Sequence, residues 1–265
     1  DGLHRHWVEQ CQRLDEIWVP SRFHVDMFTR EGVPREKLVV VPEAIDHHLY
    51  SPALTPKMMV PTEYAGSMKF LSVFKMEERK GWHELVEAFA REFRASDNVV
   101  LILHTYVYHM SSVPMACLKE YPNINEPNPY NRQALLCTIN EHLRVALSDQ
   151  PDLFASRAPI EVVGRALDDN ALRQLYMAAD AFVLPSHGEG WGLPQFESMA
   201  LGKAVIGTNW SGGTEFMRHH ENALLVSVES MEPSGANDAF LSGFQWAKPS
   251  LGGLRQAMRA LWDGA

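Results

Sequence analysis

An α/β fold, with a Rossmann-like parallel sheet and helices on both of its faces, is predicted by three features of the chain. From Lys69 onward, short β-branched runs alternate with stretches of helical periodicity, the signature of βαβ units. Glycine-rich turns stand where strands give way to helices. The 265 residues, 46% of them hydrophobic, can bury the core of one large domain or of one domain plus part of another.

Taken in order, residues 4–14 predict a helix, 17–19 a strand, 21–32 a helix capped by Ser21 and closed by Gly32, and 38–41 a strand. This opening reads as the end of one Rossmann-like domain. Pro52, Pro56 and Pro61 then punctuate a stretch with no periodic element, as an interdomain linker would. The second series begins with a strand at 70–74, an amphipathic helix at 82–93 carrying Leu85, Val86, Phe89 and Phe93 on one face, and a strand at 99–107. Residues 110–131, with Pro114, Pro122, Pro127 and Pro129, predict a long connection or insertion before a helix at 133–147. A strand at 160–163 follows, then a helix at 170–179 capped by Asp168 or Asp169, a strand at 181–184 and a helix opening at Pro194. Strands at 204–208 and 223–228 flank a turn at 211–213, and a last helix covers 250–262.

Composition excludes several function classes. With 24 basic against 33 acidic residues, the net charge of −9 repels a polyanion, so nucleic acid is not an expected partner. Cys11, Cys117 and Cys137 are an odd count without C-x-x-C spacing; neither a disulfide framework nor a structural zinc site is expected, and a reducing compartment is the default. The longest apolar runs, 99–103 and 181–184, fall far short of a membrane span, so any membrane association is expected to be peripheral and the location cytoplasmic. The chain begins at Asp1 rather than Met, which leaves room for upstream targeting signals.

The densest chemical signal is Ser186-His187-Gly188-Glu189-Gly190-Trp191-Gly192-Leu193-Pro194-Gln195-Phe196-Glu197, between a buried strand's carboxyl end and a helix start. Ligands of open α/β sheets bind at such ends. Gly188, Gly190 and Gly192 allow close backbone approach, and helix N-terminal amides, with Pro194 preset in the first turn, suit a diphosphate. Glu189 and Glu197 are unsuited to phosphate but suited to sugar hydroxyls, because one carboxylate accepts two hydroxyl hydrogen bonds and so orients a polyol.

Glu189 and Glu197, separated by seven residues inside G-E-G-W-G-L-P-Q-F-E-S-M-A-L-G, resemble the E-x7-E motif of the retaining GT-B glycosyltransferases. Trp18-Val19-Pro20-Ser21, Val41-Pro42-Glu43-Ala44-Ile45-Asp46, Lys80-Gly81 and Leu175-Tyr176 stand in the order such enzymes show, and the resemblance runs from about Ile17 to Val228. It implies a chain divided into residues 1–44, the tail of the acceptor domain; 45–66, the linker; and 67–265, the nucleotide-sugar donor domain, with its closing helix cut short. It also implies that Glu189 lies beside the transferred sugar, that Glu197 holds the ribose hydroxyls, and that Lys75 and Lys80 neutralise the diphosphate leaving group. The family more often has arginine where Lys75 stands; lysine supplies the charge without the bidentate fork. Gly164, Arg165 and Ala166 resemble the loop that flanks the nucleotide base, and Ser211-Gly212-Gly213 adds a second glycine turn. The implied chemistry is electrostatic: cations and helix amides stabilise the departing nucleoside diphosphate while an oxocarbenium-like sugar is attacked on the same face. Neither a metal nor a cofactor is expected, since no D-x-D motif and no histidine cluster at ligand spacing is present.

Plainer roles stand beside these. Glutamates are most often solvated, in the plainer reading Lys75 and Lys80 only decorate a βα loop, and Trp191 would more often pack beneath a glycine turn than stack on a ligand. His187 is a weak candidate for sugar contact among twelve scattered histidines, and the pairs His47-His48 and His219-His220 read as surface residues. Two rival functions remain at this stage: a sugar-nucleotide epimerase of the same architecture, and a non-catalytic nucleotide-sugar-binding protein. With nearly all of an acceptor domain missing, the chain is expected to bind a nucleotide yet transfer sugar poorly. The base, the sugar and the acceptor, whether carbohydrate, lipid or small molecule, are not encoded by any motif.

Overall fold

The computed structural model describes residues 2–59, 61–107, 113–121, 130–234 and 243–264. Its first 44 residues hold helix α1 (Arg5–Cys11), strand β1 (Ile17–Val19), helix α2 (Arg22–Arg30) and strand β2 (Leu38–Val40). β1 and β2 pair in parallel around α2, one βαβ unit. Ser21 caps α2 by accepting from the His24 amide, and Gly32 just beyond the helix takes a left-handed φ of 102°. Trp18, 69% exposed, and Val39 lie at one register position of this small sheet, so one of its faces is apolar and open to solvent.

The main sheet is parallel and six-stranded, in the order β5-β4-β3-β6-β7-β8, formed by β3 (Met68–Met76), β4 (Val99–Val107), β5 (Ile160–Val162), β6 (Ala181–Leu184), β7 (Ala204–Thr208) and β8 (Leu224–Val226). β4 is buried along nearly its whole length and β6 at every residue, which is why both read as continuous apolar runs rather than alternating ones. The chain leaves β3 in one direction to build β4 and β5, then returns past β3 to build β6, β7 and β8 in the other. Right-handed crossovers therefore place α3 (Trp82–Glu92), α4 (Met115–Glu120), α5 (Arg132–Ala146) and α6 (Pro151–Ser156) on one face. They place α7 (Asp169–Ala178) and α8 (Leu193–Ala200) on the other. The last helix, α9 (Leu251–Trp262), capped by Ser250, returns to α3, where Arg255 and Arg259 pair with Glu92 and Trp262 donates to the Asp97 carbonyl. The core seam is Phe70, Phe89, Phe93 and Leu85 between β3 and α3, all fully buried.

Three expectations need correction. Residues 223–228 do not form one strand: β8 ends at Val226, and Val228 opens β9 (Val228–Pro233), which pairs antiparallel with β10 (Gln245–Pro249) outside the main sheet. The connection 110–131 contains α4, while residues 108–112 and 122–129, with Pro122, Pro127 and Pro129, lie outside the described residues. Cys117 and Cys137 form a disulfide, which corrects the expectation of none. The packing of α4 on α5 brings their Cα atoms to 5.8 Å, and cysteines 20 residues apart on two helices follow no spacing rule.

Candidate active site at the reversal of strand order

Strand order reverses between β3 and β6, and in open parallel sheets the crevice at such a reversal, outside the carboxyl ends of the strands, is where ligands bind. Two loops meet there. The loop after β3 is a single 3₁₀ turn, Glu78–Lys80, leading into α3; the loop after β6 is the glycine-rich segment leading into α8. Their approach is close enough that two glycines are obligatory. A Cβ on Gly81, whose φ is 65°, would lie 2.0 Å from the Pro185 carbonyl oxygen; one on Gly212 would lie 1.9 Å from that of Gly190. The His187 amide donates to the Arg79 carbonyl at 2.8 Å, and the Gly212 amide to the Glu189 carbonyl at 3.1 Å, so three loops are laced by backbone bonds.

Within this frame Lys80 and Glu189, 109 positions apart, form an ion pair in which the ammonium donates to both carboxylate oxygens at 2.7 and 2.9 Å. Both side chains are only 11% exposed. Burial pulls the Lys80 pKa below its ordinary value, and the adjacent Glu189 opposes that pull. Arg79, which sequence reasoning passed over, donates to the Gly188 carbonyl at 2.7 Å and reaches Glu189 at 3.4 Å and Glu77 at 2.8 Å. Lys75 lies exposed one residue before the end of β3. Arg79 is a second cation at Glu189. An arginine immediately before Lys80-Gly81 was visible in the sequence, but only the turn shows that its guanidinium folds toward the glycine loop.

Glu197 meets neutral donors instead. The hydroxyls of Tyr50 and Tyr176 each donate to one of its oxygens at 3.0 Å. Burial raises the Glu197 pKa, the two phenol hydrogen bonds and Arg173 hold it down, and Asp169 adds to the rise. Tyr176 is wholly buried on α7, whereas Tyr50 arrives from the segment 45–66.

The remaining predicted residues divide. Leu193, 47% exposed, and Pro194 form the first turn of α8, where N–H groups have no helical acceptor; Gly192 precedes them with a φ of 96°. Space around Gly190 is open. Trp191 is buried against Phe196 and Phe216, the plainer of its two roles. His187 is buried beneath the loop against Trp246 of β10, with its Nε2 3.4 Å from Glu84. Gly164 sits against Arg132 and the Tyr130 carbonyl, and Arg165 and Ala166 are exposed. Gly164 and Arg165 line a cavity of about 430 Å³, floored by Met58, Tyr64, Val162 and Leu175, beside edge strand β5 and apart from the Lys80–Glu189 pair. His47, His48, His219 and His220 are exposed. Among the described residues, no group of three or more His, Cys, Asp or Glu side chains is arranged to hold a metal ion, and no helix is long and apolar enough to cross a membrane.

Residues 118–240 match the family described as glycosyl transferases group 1. A D-inositol 3-phosphate glycosyltransferase of Acidothermus cellulolyticus is 35% identical over 93 residues, which cover 35% of this chain and 21% of that protein. An uncharacterized glycosyltransferase of Methanocaldococcus jannaschii is 23% identical over 190 residues, 72% of this chain and 46% of its own length. Anabaena Alr3699/HepE, solved in complex with UDP and glucose, superposes with a TM-score of 0.60 at 17% identity, covering 98% of this chain and 55% of that one. Sucrose-phosphate synthase from Thermosynechococcus elongatus also gives 0.60, at 20% identity over 97% and 51%. The chain spans less than half of the two curated relatives and about half of the two solved chains. At such identities the solved structures establish a shared fold, the GT-B type of α/β architecture.

Proposed function

We propose that this chain, whose residues 118–240 match the glycosyl transferases group 1 family and whose fold is of the GT-B type, supplies the donor site of a retaining glycosyltransferase. The observation that carries the proposal is the Lys80–Glu189 pair. Two motifs 109 residues apart converge on one crevice at the strand-order reversal, with a helix start beside them. Lys80, helped by the first-turn amides of α8, takes the diphosphate of a nucleoside diphosphate sugar and stabilises it as it leaves. Glu189 is then free to accept from a hydroxyl of the transferred sugar, and Glu197 from the ribose. Arg79 keeps the Gly188–Glu189 peptide in place. Lys75, at the rim of the same strand end, adds charge at longer range. The scheme uses no metal: Lys80 and the helix amides supply the positive charge that meets the leaving group.

In the same reading residues 1–44 are the tail of the acceptor domain, 45–66 the linker and 67–265 the donor domain. Anabaena Alr3699/HepE, which shares the fold, is bound to UDP and glucose in its crystal structure, which supports a nucleotide-sugar donor here.

The test is thermal stabilisation of the purified chain by UDP, GDP and ADP and their common sugar conjugates, since a ligand that binds only the folded state raises stability by mass action. One nucleotide is expected to stabilise selectively, and Glu197→Ala to weaken that effect. Failure of every nucleotide to stabilise a folded chain would overturn the donor-site proposal.

A further inference from the structure

Glu197 is gripped by two parts of the chain of different character. Tyr176 belongs to α7, and its wholly buried ring fixes the hydroxyl that donates to Oε2. Tyr50 lies outside the sheet and its helices, yet its hydroxyl donates to Oε1 from 147 positions away. The segment around Tyr50 is shaped for this reach. Asp46 accepts from the His48 and Leu49 amides through its carboxylate, at 2.9 and 3.3 Å, and from the Tyr50 amide through its carbonyl, at 3.0 Å. The Arg173 guanidinium sits 5.6 Å from the centre of the Tyr50 ring.

An ionised carboxylate has about four lone-pair sites. Here one on each oxygen is occupied by a phenol, so the carboxylate cannot turn about its Cγ–Cδ bond without breaking a hydrogen bond. The unoccupied lone pairs, one on each oxygen, are held in a fixed plane. We propose that Tyr50 is a positioning residue for Glu197, locking the carboxylate so that it receives both hydroxyls of a ribose cis-diol at once. The inference rests on the donor-site reading and deepens it: it assigns diol recognition to a side chain of the 45–66 segment. Preorganisation of this kind contributes only when both hydroxyls are present.

The arrangement has a second consequence. Burial works against the ionised form of Glu197, and the phenol hydrogen bonds work for it. The charged and titratable groups facing Glu197 are Asp169, Arg173 and Tyr176 from α7 and Tyr50 from the segment; Tyr50 is itself pushed up to about 12 and stays protonated as a donor. Removing the Tyr50 hydroxyl therefore lets the Glu197 pKa rise further.

The experiment is calorimetric titration of wild type and Tyr50→Phe with UDP, GDP and ADP, and with the 2′,3′-dideoxy form of whichever binds. Phenylalanine keeps the ring beside Arg173. The expected result is about tenfold weaker binding of the ribonucleotide, the low end for a hydrogen bond to an ionised group. Affinity for the dideoxy form should be unchanged. The acid-side loss of ribonucleotide binding should also move to higher pH in the variant. Equal loss for both nucleotides, no loss, or an unmoved pH profile would overturn the role of Tyr50. Absence of binding by all three nucleotides to either protein would instead overturn the donor site itself.

Discussion

Glu189 and Glu197 are separated by seven residues and are the same residue type, yet the fold gives them opposite surroundings. Glu189 is met by cations, Lys80 at 2.7 Å and Arg79 at 3.4 Å, from a loop on the far side of the crevice. Glu197 is met by two phenols at 3.0 Å and lies away from that pair, one turn into α8. A carboxylate held by ammonium is a partner in a charge balance that a phosphate can enter; a carboxylate held by hydroxyls is already arranged as an acceptor for more hydroxyls. The contrast teaches that a motif specifies residue types, while the neighbours supplied by tertiary contact decide what each of them can recognise.

Lys80→Ala should break the comparison most severely. It leaves a nearly buried carboxylate with only a longer contact to Arg79, and removal of one partner from a buried ion pair typically costs on the order of 3 kcal/mol. Urea unfolding should show that loss, and a variant as stable as wild type would mean that water reaches the pair freely.

Glu197→Gln tests the other side through pH. Because the Glu197 pKa is raised on folding above the ordinary 4.5, its contribution to stability is complete below that value. It is lost as pH rises through the higher folded value. Urea midpoints of wild type relative to Glu197→Gln should therefore fall across that window and then level off. A difference independent of pH would contradict the assigned surroundings. Arg79→Gln should have the smallest effect, about 1 kcal/mol for a partly exposed hydrogen bond to the Gly188 carbonyl. Its clearer mark would be lost protection of the Glu189 amide in hydrogen exchange.

Much of the sheet was legible because its strands are buried. β4 and β6 are apolar runs of strand length, and the helices α3, α7 and α9 show amphipathic spacing with a capping serine or aspartate at the start of two of them. The hairpin β9–β10 was not legible: Val228–Pro233 carries two glutamates and a terminal proline, and its partner begins twelve residues after its end, so neither periodicity nor a short turn marks it. The Cys117–Cys137 bond was missed because three cysteines without a motif carry no pairing information.

At the crevice, residue types and order along the chain were enough to single out Glu189, Glu197 and Lys80, because glycines, a strand end and a helix start are local features that a linear pattern encodes. Their partners were not. That Arg79 reaches Glu189 beside Lys80, that Trp191 turns inward on Phe196 and Phe216, and that Tyr50 crosses 147 positions to reach Glu197 all depend on how loops from separate strands settle against one another. Such contacts come from the packing of the whole sheet, where the direction of a side chain is set by the backbone that surrounds it rather than by its neighbours in sequence.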